Sequence, residues 1–339
     1  MFKKKGFDSK KYLKFQTKAI FERLGFYKRL YLEVGGQLFY DRHASRVLPG
    51  YDPKLKIKLI KGLKDFEVIY CVNSEDLDSK RVFSNFNLNS YSQTLKDLED
   101  LRKSSIKVGY VVLTFFSNQE KALKLAKFLE KKGILVFFSS RIPKYGEGAS
   151  YAIRGFKDQS YIPVKKKIVV VTGPGGGSGK MAVCLNQLYF ERKRGFDSGF
   201  SKLETFPVWN LPLNHPINLA YEAATADLGD KNFLDKDFEK KHGIKAVNYN
   251  RDIDNFKILK KIMPFLRKKK VKFIFDSVTE MGVNMVKEGI VEGEICFNAA
   301  LKEIKRREKF YLENYKLGKA KKKTVLRMKE IMKKFDSLY

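Results

Sequence analysis

A glycine-rich segment ending in a lysine, residues 173–180, carries the clearest chemical signal in this sequence. It reads Gly-Pro-Gly-Gly-Gly-Ser-Gly-Lys, and it lies between an apolar, β-branched run and a stretch of helical periodicity. Backbone N–H groups of a loop with few side chains can close on an anion, and the dipole of the following helix favours negative charge there. We therefore predict that these residues bind a phosphate group: Gly173, Gly175, Gly176, Gly177, Ser178, Gly179 and Lys180.

The segment departs from the standard phosphate loop, G-x-x-x-x-G-K-[ST], at two positions. Pro174 occupies the place of the first glycine, and Met181 occupies the place of the hydroxyl that binds magnesium. A conventional magnesium-dependent ATPase is therefore not expected, and no metal site is predicted. Anion binding needs only N–H groups, a helix start and a cation. The alternative is a tight glycine turn whose lysine is solvated.

Candidates for proton transfer lie outside this segment. A histidine titrates near neutral pH and can move a proton, while a neighbouring carboxylate orients it. His215 could instead cap a helix that begins near Pro216, and the Asp-Arg-His cluster after residue 40 could be a structural ion pair. The predicted catalytic residues are His43, His215, Glu222 and Asp227.

Further polar side chains follow predicted strands and are expected to contact the same ligand. Arg46 and Arg251 would neutralise its charge. Asn210, Asn250 and Asp252 would hydrogen-bond to it, although turn chemistry alone also explains asparagines at such positions. The segment 279–285, which contains Glu280 and Asn284, has the same relation to a predicted strand.

Short apolar strands alternate with helical patterns and must position these residues. Near-continuous apolar strands separated by helices predict a doubly wound α/β fold, with a mostly parallel sheet, helices on both faces and a C-terminal helical segment. Ligands bind at the carboxyl ends of such strands, where Asn73 and Thr114 are also expected. The predicted strands are 30–34, 66–72, 108–115, 134–138, 167–172, 200–205, 244–249 and 271–275, and the predicted helices include 53–64, 118–132 and one that begins at Ser90 with Gln93 in a capping box.

The chain of 339 residues is expected to divide into three parts. Residues 1–195 would form an α/β part that ends in the glycine-rich segment and its helix. Residues 196–300 would form a second α/β part that carries polar loops. Residues 301–339 would form a helical hairpin around Gly318.

The formal net charge of +31 has two interpretations. It could attract nucleic acid or another acidic partner. It could also reflect solvated lysines on helix faces, which we favour because lysines accompany apolar residues at helical spacing in 121–133 and no RNA-binding signature is evident. No apolar run approaches the ~20 residues that span a bilayer, and the three cysteines are far apart. A cytoplasmic protein with no membrane partner is expected, and its oligomeric state is left open.

Five blocks of the sequence, in this order, resemble a bacterial family known only as domain of unknown function eighteen forty-six, also called uncharacterised protein family three-seventy-one. They are residues 30–53, 169–189, 193–228, 247–254 and 279–285. The resemblance runs from Gly6 to about Gly318 and implies a cytosolic protein of no established activity. Members of that family are generally longer and carry a further C-terminal α/β domain, so the resemblance implies that this sequence lacks the usual C-terminal domain. The family's motifs match at Asp41, His43, Arg46, Lys180, Glu204, Asn210, His215, Glu222, Asp227, Asn250, Arg251 and Asp252.

Together these observations favour an enzyme that acts on a small phosphorylated molecule, with a nucleotide as the candidate cofactor and the reaction left open. One alternative is a non-catalytic basic module that binds RNA or an acidic partner. Another is an inactive scaffold that lacks the domain completing its site.

Overall fold

The computed structural model describes residues 5–36, 38–79, 82–83, 88–266 and 275–337. The strands are β1 (Arg29–Val34), β2 (Phe66–Asn73), β3 (Val82–Phe83), β4 (Leu88–Asn89), β5 (Tyr110–Thr114), β6 (Leu135–Ser139), β7 (Ile168–Thr172), β8 (Ser198–Leu203), β9 (Asn232–Leu234) and β10 (Val247–Tyr249). The helices are α1 (Ser9–Leu24), α2 (Arg42–Val47), α3 (Leu55–Gly62), α4 (Ser74–Asp78), α5 (Ser90–Lys103), α6 (Glu120–Glu130), α7 (Ala149–Lys157), α8 (Lys180–Lys193), α9 (Pro216–Ala224), α10 (Lys236–His242), α11 (Asn250–Leu266), α12 (Val278–Met281), α13 (Val286–Gly289), α14 (Gly293–Lys316) and α15 (Lys322–Asp336).

A six-stranded sheet in the order β6-β5-β2-β7-β1-β8 forms the centre of the described fold. Every neighbouring pair in it is parallel. The strands are apolar almost without interruption because both faces of a parallel sheet are covered by helices. The predicted α/β fold class, with helices on both faces and a helical C-terminal segment, is confirmed.

Alternate side chains of each strand enter two separate cores, as the pleat requires. On β2, Tyr70 and Val72 face a core shared with α3, α5 and α6. Ile69 and Cys71 face the opposite core, which contains apolar side chains of α7, α8 and α11. The two cores hold the carboxyl ends of the strands at one edge of the sheet, where the candidate site lies.

A third apolar cluster joins helices α2, α9, α14 and α15. It buries Phe206, which follows β8, together with Ile217, Ile304 and Ile331. Gly318 separates α14 from α15 and has a left-handed φ of +69°. The predicted pair of C-terminal helices is therefore confirmed, although the first begins at Gly293 rather than near residue 301.

Several local predictions differ from the structure. Asn89, not Ser90, caps α5 by accepting from the backbone N–H of Ser92, and Gln93 donates to Asp97 instead of closing a capping box. The predicted strand 244–249 is shorter, and it pairs antiparallel with β9, outside the main sheet. Helix α7 lies in a stretch for which no element was predicted.

Two predictions are not decided by the described residues. The predicted strand 271–275 falls, apart from Phe275, outside them. The division at residues 195 and 300 stays a prediction. Strand β8, from the second predicted part, pairs with β1 of the first.

Candidate functional site

The glycine-rich segment lies at the carboxyl edge of the sheet and is held by the two neighbouring strands. The Asn73 side-chain amide at the end of β2 donates to the carbonyl of Gly177 at 3.2 Å. The Thr114 hydroxyl at the end of β5 donates to the carbonyl of Ser178 at 3.0 Å. The predicted position of both side chains beside this loop is confirmed.

Gly179 shows why the last position before α8 requires glycine. Its φ is +78°, and a Cβ atom there would lie 2.8 Å from the Cγ2 atom of Thr114. The left-handed backbone and the close approach of the neighbouring strand therefore both exclude a larger side chain. Gly176, by contrast, is exposed and has open space around its Cα.

Lys180 supports the loop from within. Its Nζ donates to the carbonyl of Gly175 at 3.0 Å and to the hydroxyl of Ser178 at 3.3 Å. Lys180 and Ser178 are buried, whereas Gly176 and Gly177 are exposed. The ammonium group thus places positive charge beneath an exposed run of backbone, at the N-terminus of a 14-residue helix.

A cavity of about 310 Å³ opens beside the loop, and we call it the glycine-loop cavity. Its lining is largely apolar and aromatic, with several amide side chains, a composition typical of sites for small organic ligands. The lining residues are Thr114, Phe115, Ser139, Ser140, Arg141, Ile142, Tyr145, Phe156, Gln159, Gly179, Met181, Ala182, Asn186, Asn255 and Leu259.

Two polar side chains in this lining are fixed in position. The Arg141 guanidinium lies 4.6 Å from the centre of the Phe115 ring and binds both carboxylate oxygens of Glu75, at 2.8 and 2.6 Å. The Asn186 amide donates to the carbonyl of Ser160. Its Oδ1 atom is buried and has no hydrogen-bond partner among the described residues. This oxygen is an acceptor that a ligand in the cavity could satisfy.

Most residues that line this cavity were not predicted, because the largely polar stretch 139–159 contains no recognisable binding motif. Their position after a predicted strand was the available signal, since every other carboxyl-edge segment had been singled out on that basis.

A cluster of charged side chains, which we call the buried charged cluster, lies at the same edge: Glu33, Lys202 and Asp252 are buried, and Glu204, directly after β8, is partly buried. Lys202 Nζ binds both oxygens of Asp252, at 2.7 and 2.5 Å, and lies 3.2 Å from Glu204 Oε1. The hydroxyl of Tyr249 donates to Glu204 at 3.1 Å. Glu33, which faces Lys202 across the β1–β8 pair, has a buried Oε2 atom with no hydrogen-bond partner among the described residues.

Burial dominates the acid–base properties of this cluster. Burial raises the pKa of Glu204 to about 7; Lys202 opposes the rise, and the charges of Asp252 and Glu33 add to it. Burial also raises the pKa of Glu33, against the pull of Lys202 and Lys180. Burial alone would lower the pKa of Lys202, but the Asp252 and Glu204 carboxylates raise it above its ordinary value. Glu204 is therefore a carboxyl group able to exchange a proton near neutral pH.

A second cavity, of about 250 Å³, lies between the ends of β1 and β8 and helices α2, α9 and α14, and we call it the arginine pocket. Its lining residues are Gly35, Gly36, Asp41, Arg42, His43, Arg46, Lys56, Glu204, Thr205, Phe206, Tyr221, Ala224, Thr225 and Arg307. It brings together the predicted site residues His43 and Arg46 with Glu204, which the sequence analysis had matched to the family motifs.

The wall of the arginine pocket is organised by one carboxylate, Glu303 of α14. It accepts hydrogen bonds from Arg46 at 2.8 Å, from Arg306 at 2.6 and 2.7 Å, and from Arg307 at 3.0 Å. Although burial alone would raise the pKa of Glu303, its hydrogen bonds to Arg306, His43 and Arg46 hold that pKa far below the ordinary value. Glu303 is therefore ionised, and it fixes the guanidinium groups around it.

His43 has one ring nitrogen engaged and one without a partner. Its Nδ1 lies 3.4 Å from Glu303, and its ring contacts the edge of Phe206 with 5.0 Å between centroids. The Nε2 atom is buried and has no hydrogen-bond partner in the described part of the chain. Burial lowers the pKa of His43 even though Glu303 pulls it upward.

The other predicted catalytic residues have contacts within the fold. The Nδ1 atom of His215 accepts from the backbone N–H of Ile217 at 3.2 Å and caps α9, and burial followed by the charge of Lys287 lowers its pKa. Glu222 is completely buried and pairs with Arg327 at 2.5 Å. Asp227 accepts from the Tyr311 hydroxyl at 2.9 Å. Among the contacts described, none joins these three side chains to one another.

The remaining predicted binding residues are also dispersed. Arg251 binds Asp230 through two hydrogen bonds, at 2.6 and 2.8 Å, and Asn250 accepts from the backbone N–H of Lys231. The backbone carbonyl of Asn210 accepts from Lys287 at 3.1 Å, while its side-chain Oδ1 is buried without a partner among the described residues. Only Asp252 of this group reaches the buried charged cluster.

Comparison with known sequences decides the family. The family described as "Domain of unknown function DUF1846, N-terminal" matches residues 5–336. The chain belongs to this family. The predicted membership is confirmed.

Its DUF1846 relatives are longer proteins. A UPF0371 protein of Clostridium botulinum (strain Alaska E43 / Type E3) is 44% identical over 334 residues, which are 98% of this chain and 66% of that protein. A UPF0371 protein of Fusobacterium nucleatum subsp. nucleatum is 43% identical over 330 residues, 96% of this chain and 65% of that protein. One of Clostridioides difficile (strain 630) is 42% identical over 336 residues, 98% of this chain and 67% of that protein. The chain thus spans about two thirds of the length of these relatives.

Two further findings bear on partners. Among the residues that the structure describes, no helix has the length and apolar character needed to cross a lipid bilayer. The same residues contain no group of three or more His, Cys, Asp or Glu side chains that could hold a metal ion.

Proposed function

We propose that this DUF1846 chain binds a nucleotide-like phosphorylated molecule in the glycine-loop cavity, as part of an enzyme whose reaction is not yet known. One observation carries the proposal. Gly179 is both the last glycine of the loop and part of the cavity wall, so a phosphate on the loop would have its organic part directly beside the cavity.

The loop supplies the groups that a phosphate needs. Exposed backbone at Gly176 and Gly177, the N-terminus of α8 and the buried Lys180 ammonium all favour negative charge at one place. With Met181 in place of a hydroxyl, the metal-binding half of the standard phosphate loop is missing, so charge would be neutralised by the protein itself.

The cavity supplies the groups that a nucleobase needs. Phe115 and Tyr145 offer aromatic surface for a planar ring. Asn186, Gln159 and Asn255 offer amide donors and acceptors, and the buried Oδ1 atom of Asn186 is already without a partner in the described part of the chain. A volume of about 310 Å³ lies within the range of small-ligand pockets, about 300–1,000 Å³.

Proton transfer in such an enzyme would fall to Glu204, since burial raises its pKa to about 7. His43 is a second candidate because it lies in the same pocket as Glu204. The roles predicted for His215, Glu222 and Asp227 stay predictions, as do the alternatives of an RNA-binding module or an inactive scaffold.

Isothermal titration with AMP and ATP tests the proposal. We expect both nucleotides to bind, and we expect Lys180→Ala to weaken binding by about tenfold or more, since hydrogen bonds to charged groups contribute about 1.5–3 kcal/mol. Because Lys180 also supports the loop, Ala182→Leu is a second variant that narrows the cavity without touching the loop. Ala224→Leu, which fills the arginine pocket instead, is the matched control and should leave nucleotide affinity unchanged.

Two outcomes would contradict the proposal. One is the absence of nucleotide binding by the unmodified protein at millimolar concentration. The other is binding that Lys180→Ala and Ala182→Leu leave intact.

A further inference from the structure

We propose that the arginine pocket is a second ligand site, which takes a small molecule carrying a compact dianionic group, such as a phosphate monoester or a dicarboxylate. This inference goes beyond the proposed function, because the pocket and the glycine-loop cavity share no lining residue.

The lining of the arginine pocket contains more cationic side chains than carboxylates. Four cationic side chains line the pocket, namely Arg42, Arg46, Lys56 and Arg307, against the carboxylates of Asp41 and Glu204. Glu303 behind the wall is balanced by Arg306, which donates to it but does not line the pocket. The lining therefore has two more positive than negative charges when Glu204 is ionised and three more when it is protonated, an excess that favours a dianion.

Two arginines of the pocket lining are held in place by the same carboxylate. Arg46 and Arg307 both donate to Glu303 through Nε. In the described part of the chain, no hydrogen bond engages the terminal amino groups of either residue, so these groups can donate to a ligand. Guanidinium groups fixed in this way lose little side-chain freedom on binding an oxyanion.

His43 adds a hydrogen-bonding group to the pocket, independently of the arginines. Its side chain lines the pocket, and its ring is fixed by Glu303 at Nδ1 and by Phe206 at the ring edge. Its Nε2 atom is buried without a partner among the described residues. Because Nδ1–H donates to the Glu303 carboxylate, Nε2 of the neutral ring is an acceptor, and it can take a hydrogen bond from a hydroxyl group of the ligand.

Size restricts the class of molecule. The pocket volume of about 250 Å³ is below the range of about 300–1,000 Å³ for drug-sized ligands. A phosphorylated or dicarboxylic metabolite of a few carbon atoms fits that volume better than a nucleotide. Binding there would place the ligand against Glu204, which also borders the buried charged cluster.

The test is isothermal titration with glycerol 3-phosphate, inorganic phosphate and malonate as separate probes. We expect at least one of them to bind, and we expect Arg46→Gln and Arg307→Gln each to weaken it by about tenfold, the loss of one charged hydrogen bond. Arg306→Gln is the matched control, because it removes a guanidinium from the same carboxylate without altering the pocket lining. It should weaken binding by about threefold at most, because it removes a charge behind the wall but no donor from the pocket.

Further variants keep the test decisive if an arginine variant does not fold. Ala224→Leu narrows the pocket from α9 and should abolish binding of the preferred probe, whereas Lys180→Ala should leave it unchanged. Stronger binding of malonate assigns a dicarboxylate, and stronger binding of glycerol 3-phosphate assigns a phosphate monoester; both support the site. The proposal is overturned if no probe binds at millimolar concentration, if Arg306→Gln weakens binding as much as Arg46→Gln, or if only Lys180→Ala weakens it. The last result would place the anion on the glycine loop and leave the proposed nucleotide function intact.

Discussion

Replacing Gly179 with alanine should destabilise the protein far more than replacing Gly176, three residues earlier in the same loop. Gly179 has a φ of +78°, and an added Cβ would lie 2.8 Å from Thr114 Cγ2. Gly176 has no left-handed φ and open space where a Cβ would be. The two substitutions add the same methyl group, so the difference between their free energies of unfolding reports only the local backbone conformation and packing.

The expected size of the effect follows from these two features. A left-handed backbone costs a residue with a Cβ about 1–2 kcal/mol. Overpacking against the rigid end of β5 costs about 1–3 kcal/mol. Gly179→Ala should therefore lower the free energy of unfolding by about 2–5 kcal/mol. Gly176→Ala should change it by no more than about 1 kcal/mol, in the stabilising direction, because alanine restricts the unfolded chain.

Urea denaturation followed by far-ultraviolet circular dichroism measures both values, and the fluorescence of the single tryptophan, Trp209, gives an independent probe. Nucleotide titration should show a loss of affinity in Gly179→Ala under conditions where the protein is still folded. Equal unfolding free energies for the two variants would show that neither the left-handed backbone nor the contact with Thr114 requires glycine at position 179.

Two further predictions concern buried charge. Because the pKa of Glu204 is raised from 4.5 to about 7, the stability that its protonated form contributes is complete below pH 4.5 and is lost as the pH rises through 7. Relative to Glu204→Gln, the wild-type free energy of unfolding should fall by at most about 3 kcal/mol between pH 5 and 8. If thermal or urea melts show a constant difference in free energy between wild type and Glu204→Gln across that range, this pKa is excluded. Arg327→Met should remove the guanidinium from the buried Glu222 carboxylate, which would keep only Lys334 at 3.4 Å and the backbone N–H of Asn232, and should cost up to about 3 kcal/mol. Adding Glu222→Gln should restore part of the loss in a double-mutant cycle, and a purely additive cycle would argue against coupling.

The sequence by itself was sufficient to predict the parallel sheet and the position of the glycine-rich loop at its edge. Both depend on local patterns. A continuous apolar run predicts a buried parallel strand, and a run of glycines between a strand and a helix predicts a turn at the carboxyl edge of the sheet. The family was also accessible from the sequence, because long blocks such as 193–228 are specific. Helix α7 was not predicted, although Ala152 and Phe156 have helical spacing, because it is short and lies in a largely polar stretch.

The candidate sites were predicted only in part, for a physical reason. Glu222 and Arg251 have the residue types of a catalytic or binding group, yet each is bound to a partner within the fold, Arg327 and Asp230 respectively. A sequence does not distinguish a charge reserved for a ligand from a charge neutralised by a distant residue. His43 and Arg46 did fall in a common pocket, because they are close together in the chain.

What only the tertiary structure decided is how the charges pair. Arg46 and Glu303 are 257 positions apart, and Lys202 and Asp252 are 50 positions apart. Local periodicity reports which face of a helix or strand is buried, but it carries no information about which buried charge meets which. Folding brings these groups together, and the resulting low-polarity surroundings determine their pKa values. The strands and the loop can therefore be predicted from the sequence, whereas the arginine pocket and the raised pKa of Glu204 exist only in the folded molecule.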